Sequence, residues 1–236
     1  MGKIAMLVTL LFALSAASQS SDSQRADVIL TPSHDLQVPT IIRGQLADAA
    51  DVEANLNLPN KDVALEYDTV RDNPDTADFM NNEPHVVLVR GERVIFNTGI
   101  SSLARTGPIR FHGMALLARA GTTPIVVCAF TLGGDSAETF FVFLGEQSKG
   151  YKVIATLRGE QAQIRINSRP LASFELWKGD GFSGRGSDAE CVWCPKYYKK
   201  TMYEFRQGKL EKLESIRTKR GYDPDPFFET PFILIK

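Results

Sequence analysis

Ile125-Val126-Val127-Cys128-Ala129-Phe130-Thr131-Leu132 is followed, after Gly133-Gly134-Asp135-Ser136-Ala137-Glu138, by Thr139-Phe140-Phe141-Val142-Phe143-Leu144. Each apolar run is short, rich in β-branched or aromatic residues, and bounded by turn residues, so each reads as a strand. A strand with one wet face alternates apolar and polar side chains. These two scarcely alternate, so both of their faces are expected to be covered, and the core is expected around them.

Outward from this centre the strand signals continue. Tyr151 to Leu157 is read as a strand, and Phe111 to Ala120 as another, because Phe111, Gly113 and the following Gly121-Thr122-Thr123-Pro124 suit a turn-bounded strand better than a short helix. Three Gly-containing turns are expected to close hairpins. They are Gly91-Glu92 between Val86-Val89 and Val94-Phe96, as a type II′ turn, Gly159-Glu160 between Tyr151-Leu157 and Ala162-Ile166, and Gln207-Gly208 between Met202-Phe205 and Leu210-Ile216. Leu46 to Leu56 is the best helix candidate, on a loose 3.6-residue spacing of Leu46, Ala50 and Leu56. Asp68 to Pro84, with Asp72, Asn73, Pro74, Asp75, Asn81 and Asn82, reads as a long acidic loop.

Two groups of three strands repeat. Ile125-Leu132, Thr139-Leu144 and Tyr151-Leu157 form one, and Leu171-Trp177, Tyr197-Phe205 and Leu210-Ile216 the other. From Pro124 to Arg217 this pattern resembles the blades of integrin-type (FG-GAP) propeller repeats of exported bacterial proteins. The resemblance implies small antiparallel blades. In that family an Asp-rich loop binds calcium; here Gly133-Gly134-Asp135 and Gly179-Asp180-Gly181 lack the alternating carboxylates, so no calcium site is carried over. A β-sandwich of the same strands stays open. The expected fold is all-β, with antiparallel hairpins forming propeller-like blades or a sandwich and little helix.

Composition bounds the function. The chain has 236 residues, 43% hydrophobic and 23% charged, with 27 Lys and Arg against 28 Asp and Glu. These values exclude wholesale disorder and a polytopic membrane protein, and a net charge of -1 gives no long-range attraction to nucleic acid. At the N-terminus Lys3 precedes the apolar run Ile4 to Leu14 and the small residues Ser15-Ala16-Ala17. That order matches a secretory signal over 1–17, cleaved after Ala17; the run is too short to span a bilayer. A flexible leader over 18–27 and a single all-β domain over 28–236, with a sub-boundary near 121–124, are expected to follow. The expected compartment is secreted or periplasmic.

Several motifs invite chemistry. Cys191-Val192-Trp193-Cys194-Pro195 suits a structural disulfide between Cys191 and Cys194 in an oxidising compartment. A redox pair would want a helix start after the first Cys, yet Tyr197, Thr201, Tyr203 and Phe205 recur at period two as in a strand. Zinc would need two more ligands, and neither Cys128 nor His34, His85 and His112 is spaced to supply them. Gly179-Asp180-Gly181-Phe182-Ser183-Gly184 spells G-x-G-x-x-G, but no helix pattern follows to receive a phosphate. His112, beside Phe111 and Gly113, is the most interesting base. Lys196, Tyr197, Tyr198, Lys199, Lys200 and Tyr203 suggest a basic and aromatic binding surface. The apolar tail Phe227 to Ile235 must dock, either on a sheet of its own chain or as a strand added to a partner.

The sequence is therefore read as an exported, non-catalytic all-β protein acting through its surface as a binding or envelope-structure module. Its expected partner is a protein or a glycan, with no nucleic acid, no membrane span after signal removal, and no cofactor or metal. The alternatives are a thiol-disulfide protein using Cys191 and Cys194, and a hydrolase with a loop-built site.

Overall fold

The structure is a computed structural model and describes residues 46, 49–70, 82–104, 109–117, 123–132, 138–148, 150–167, 173–180, 197–222 and 230–235. The expected signal over 1–17, the leader over 18–27, the Cys191/Cys194 pair and Lys196 lie outside them. The described chain is almost entirely strand. In order these are β1 (Ala49–Asn57), β2 (Val63–Val70), β3 (Asn82–Arg90), β4 (Arg93–Gly99), a one-turn helix α1 (Ser101–Ala104), β5 (Ile109–Leu117), β6 (Ile125–Leu132), β7 (Glu138–Gln147), β8 (Gly150–Glu160), β9 (Gln163–Asn167), β10 (Ser173–Gly179), β11 (Tyr198–Arg206), β12 (Lys209–Arg217) and β13 (Phe232–Ile235).

Consecutive strands pair antiparallel into three meanders. The first sheet is β1-β2-β3-β4, the second β5-β6-β7-β8, and the third β12-β11-β10-β9, extended by β13. The fold is thus all-β with antiparallel sheets, as the strand patterns predict. The β13 pair is the exception: it runs parallel to β9, with Phe232 opposite Ile164 and Ile235 opposite Asn167. The described part of the apolar tail, Phe232–Ile235, docks on its own chain.

The sheets stack in chain order, and alternation along β6 and β7 shows how. Val126, Cys128, Phe130, Phe140, Val142 and Leu144 join a cluster with Leu56, Ala64, Val86 and Leu88 of the first sheet. The intervening Val127, Ala129, Phe141 and Phe143 join Ile164, Ile166, Phe174 and Leu176 of the third. The second sheet is therefore buried on both faces, which is why its central strands have no polar side. Each fully buried Phe or Val here stabilises the stack by about 1.5–3 kcal/mol relative to exposure.

The two seams differ in chemistry. Between second and third sheets, Phe143 stacks on Phe174 with centroids 5.3 Å apart and Phe141 meets Phe232 edge to face at 5.9 Å, while within the third sheet Phe174 stacks on its cross-strand neighbour Tyr203 at 5.6 Å. The β9 backbone N–H of Ile164 donates to the carbonyl of Pro231 at 2.8 Å, and Gln163 Nε2 donates to the carbonyl of Thr230 at 2.7 Å. Between first and second sheets, the rim is polar. Asp62, only 1% exposed, accepts from Arg90 Nε at 2.9 Å and Arg90 Nη2 at 2.7 Å, while Arg90 Nη2 also reaches Glu146 Oε1 at 2.5 Å. Asn60 Nδ2 donates to Tyr151 Oη at 2.8 Å, and that hydroxyl donates to Asp62 Oδ2 at 3.2 Å. The two carboxylates hold the Arg90 guanidinium further above its ordinary pKa, hydrogen bonding to Asp62 being the largest cause. Burial pushes the Tyr151 phenol up to about 12.

Three local expectations change. Leu46 to Leu56 is not a helix: 49–57 is β1, paired with β2 so that Leu56 lies opposite Ala64 in the first seam. Packing of a strand face overrides a spacing that fitted a helix only loosely. The acidic loop is shorter than Asp68 to Pro84, because β2 continues to Val70 and β3 begins at Asn82, with Asp68 opposite Pro84 in their register. The Gly159-Glu160 hairpin does not exist. Strand β8 runs through Glu160, Gln161 turns at φ +43°, and β9 leaves for the third sheet. A Cβ at Gly159 would lie 2.6 Å from Lys178 Cβ, so this glycine permits close approach of β8 to β10 instead of making a turn. The other two hairpins form as expected. Gly91 has φ +58° and Glu92 does not have a positive φ, as in type II′; Gln207 and Gly208 both have positive φ, as in type I′. The sub-boundary near 121–124 falls between β5 and β6, which are paired neighbours. Among the described residues, no helix is long and apolar enough to cross a membrane.

Candidate functional site

The basic and aromatic surface expected over 196–203 maps to the outer flank of the third sheet, and strand alternation divides it. Lys200 lies opposite Trp177, and Tyr198 opposite Gly179, on the outer face; Tyr203 lies opposite Phe174, on the inner one. Tyr198 is fully buried and donates to Gln161 Oε1 at 3.3 Å, so it offers no surface. Tyr203 is half-buried over Phe174, where burial raises its phenol pKa. Lys199 pairs across the inner face with Lys178 and Arg217 in register and is half-buried. Tyr197, ahead of β11, is exposed, and Lys200 lies on the outer face but is engaged.

Its partner is a plate built on cross-strand neighbours. Lys200 Nζ lies 2.5 Å from Glu175 Oε1, and the other oxygen of that carboxylate accepts from Trp177 Nε1 at 2.9 Å. The guanidinium of Arg165 lies 3.9 Å above the indole centroid, and Tyr222 meets the indole edge at 5.4 Å. Register explains the assembly: Arg165 is opposite Glu175 and diagonal to Trp177, so period-two alternation brings cation, carboxylate and ring to one face. Burial lowers the Arg165 pKa, against the field of Glu175. A cation on an aromatic face in a partly dry setting contributes about 1–2 kcal/mol, so this plate holds its shape before any ligand arrives.

Beside the plate lies the exposed apolar surface of the described residues. Tyr197 is 38% exposed, Leu213 44% and Ile216 48%. Leu213 and Ile216 lie on β12, the edge strand of the third sheet, and Tyr197 immediately precedes β11. Ile216 is opposite Lys200, on the same face as Trp177, and Leu213 sits at the register shift between Met202 and Tyr203. Arg217 lies over the Tyr197 ring at 5.1 Å and binds Asp180 through Nε at 2.6 Å. Lys209, Glu211, Lys212 and Glu214 intersperse charges along the same strand, which suppresses pairing with arbitrary edges.

A second polar group, which sequence reasoning did not single out, lies on the outer face of the first sheet. His85 stacks on Tyr67 with centroids 5.0 Å apart and planes at 19°. Its Nδ1 lies 3.1 Å from Asn97 Oδ1, and Asn97 Nδ2 donates to Tyr67 Oη at 3.1 Å. The three come from β3, β4 and β2, so only cross-strand register reveals them; the alternation of β3 was the one available signal. His112 and Cys128, by contrast, sit on the second sheet, where Cys128 is buried and its thiol pKa is pushed up by that burial. The chain matches no protein-family model, no curated protein and no solved structure.

Proposed function

We propose that this chain is an exported, non-catalytic all-β protein that works through its surface, as a binding or envelope-structure module for a protein or glycan partner. The observation that carries the reading is the exposure of Leu213 and Ile216 on β12, the edge strand of the third sheet, next to a side-chain plate already locked by Arg165, Glu175 and Lys200. Exposed large apolar side chains scattered singly need no explanation; two on one edge strand suit a contact surface. A rigid scaffold lowers the entropy lost on binding. The three successive four-stranded meanders support a reading as blade-like units, each made of consecutive strands and stacked on the next. The signal-like segment over 1–17 supports export.

The test is photo-crosslinking in the exporting cell, with a benzophenone amino acid at Ile216. A discrete adduct that disappears when Leu213→Asp is added, together with a mature N-terminus at Ser18, is the expected result. No adduct beyond that of a probe at Glu92, or turnover of glycoside, peptide or ester substrates abolished by loss of one side chain, would count against the reading.

A further inference from the structure

The third sheet carries a row of three cations. Lys178 on β10 lies opposite Lys199 on β11, and Lys199 lies opposite Arg217 on β12. Period-two alternation from Leu176, buried in the seam with the second sheet, puts the row on the face turned toward that sheet. Like charges directly opposite each other repel, so this row costs stability in the free protein.

No described carboxylate neutralises its lysines. Asp180 is bound by Arg217 Nε at 2.6 Å, and Glu175 by Lys200 on the other face, which leaves Lys178 and Lys199 without a carboxylate partner among the described residues. Their neighbours on this face are uncharged. Leu176, Thr201 and Ser215 form the next row, and across the seam Gly159 meets Lys178, a Cβ on that glycine lying 2.6 Å from Lys178 Cβ and 2.8 Å from its Cδ. The approach of β8 thereby fixes the Lys178 stem, and both lysines are half-buried. Two ammonium groups thus rise from neighbouring strands about 4.8 Å apart, partly shielded from water and with their charge unmatched.

The chemistry of the row selects its ligand. The guanidinium of Arg217, whose fork would suit a planar carboxylate, is engaged by Asp180 and lies over the Tyr197 ring at 5.1 Å. What remains is a pair of point charges with rotatable donors, the form in which lysine binds phosphate. We propose that Lys178 and Lys199 bind a dianionic oxyanion of the sulfate or phosphate class on the β8 side of the third sheet, with Arg217 adding to the positive field. Ile216 lies on the opposite face, so this site and the apolar flank fail independently.

The experiment titrates the full chain with sodium sulfate and, separately, with sodium phosphate, at an ionic strength held constant with NaCl. It reads the lysine Cε resonances by NMR and the urea midpoint. The expected result is a saturable shift at Lys178 and Lys199, and a midpoint that rises with at least one of the two anions but not with chloride. Lys178→Met and Lys199→Met keep the stems and should each weaken binding about tenfold, the low end for a hydrogen bond to a charged group. Lys152→Met, at an exposed position of β8, should leave binding unchanged. Without added anion, Lys199→Met removes a repulsion, so its midpoint should be no lower than that of the parent chain, and neither anion should raise it further. The proposal is overturned if neither anion moves these resonances beyond the chloride control, if the folded Met variants bind as tightly as the parent, or if Lys199→Met lowers the anion-free midpoint, which would mean that the row is held by partners of its own.

Discussion

The two seams of the stack use opposite physics. Where the second sheet meets the third, Phe141, Phe143, Phe174, Tyr203 and Phe232 interlock, and the C-terminal strand straps the joint. Where it meets the first, aliphatic side chains fill the interior and the rim is closed by Asp62, Arg90, Glu146, Asn60 and Tyr151. Ring packing is insensitive to salt and pH. A charged rim responds to both, because the half-exposed Arg90 arm toward Glu146 is screened by ions and the network depends on the proton of Tyr151. One stack of sheets thus carries a permanent joint and a conditional one.

The largest effect is expected at the apolar seam. Phe174→Ala should destabilise the protein by about 3–5 kcal/mol, since Phe174 contacts Phe143, Tyr203 and Phe205 and is fully buried. Urea unfolding measures this; a change within error would mean the seam is not packed. Phe232→Ala follows at about 3 kcal/mol, because it empties the place beside Phe141 and Gly113 where β13 closes the joint.

At the polar rim, Asp62→Ala should cost about 1–3 kcal/mol, leaving Asn60, Tyr151 and Arg90 without their common acceptor, the exposure of Arg90 limiting the loss. The same unfolding series at low and high salt should show the rim's share shrinking while the Phe174 effect holds. Alkaline pH sharpens the contrast. A phenol whose folded pKa is raised binds its proton more tightly in the native state, so the stability is fully present below about pH 10, the unfolded value, and is lost as pH rises toward about 12. Tyr151→Phe should flatten part of that alkaline decline; an unchanged slope would remove Tyr151 from the account. The smallest expected effect is on the binding flank, where Ile216→Asp should move stability by no more than about 0.5 kcal/mol, since the side chain is 48% exposed.

Much of this architecture can be read from residues. The unbroken apolarity of β6 and β7 announces two covered faces, and both central strands form where it lies. The turns at Gly91-Glu92 and Gln207-Gly208 carry their own chemistry and close hairpins. What stays hidden depends on partners distant in sequence. Gly159 looks like a turn residue, yet its role is set by Lys178 across the seam. Leu46 to Leu56 carries a weak helical spacing that pairing with β2 overrides. The Tyr-Lys cluster over 197–203 is legible as an alternating strand, but which face is wet depends on Phe174 and Trp177. Tyr67, His85 and Asn97 meet only through the register of three strands, so no local pattern announces them.

The account rests on a second sheet covered on both faces. Native-state hydrogen exchange tests this most directly. The amides of β6 and β7 should exchange only by global unfolding, with the slowest rates in the protein, while β12 amides exchange by local opening. Exchange of Val127, Phe130, Phe141 and Phe143 as fast as that of Glu211 or Glu214 would contradict it.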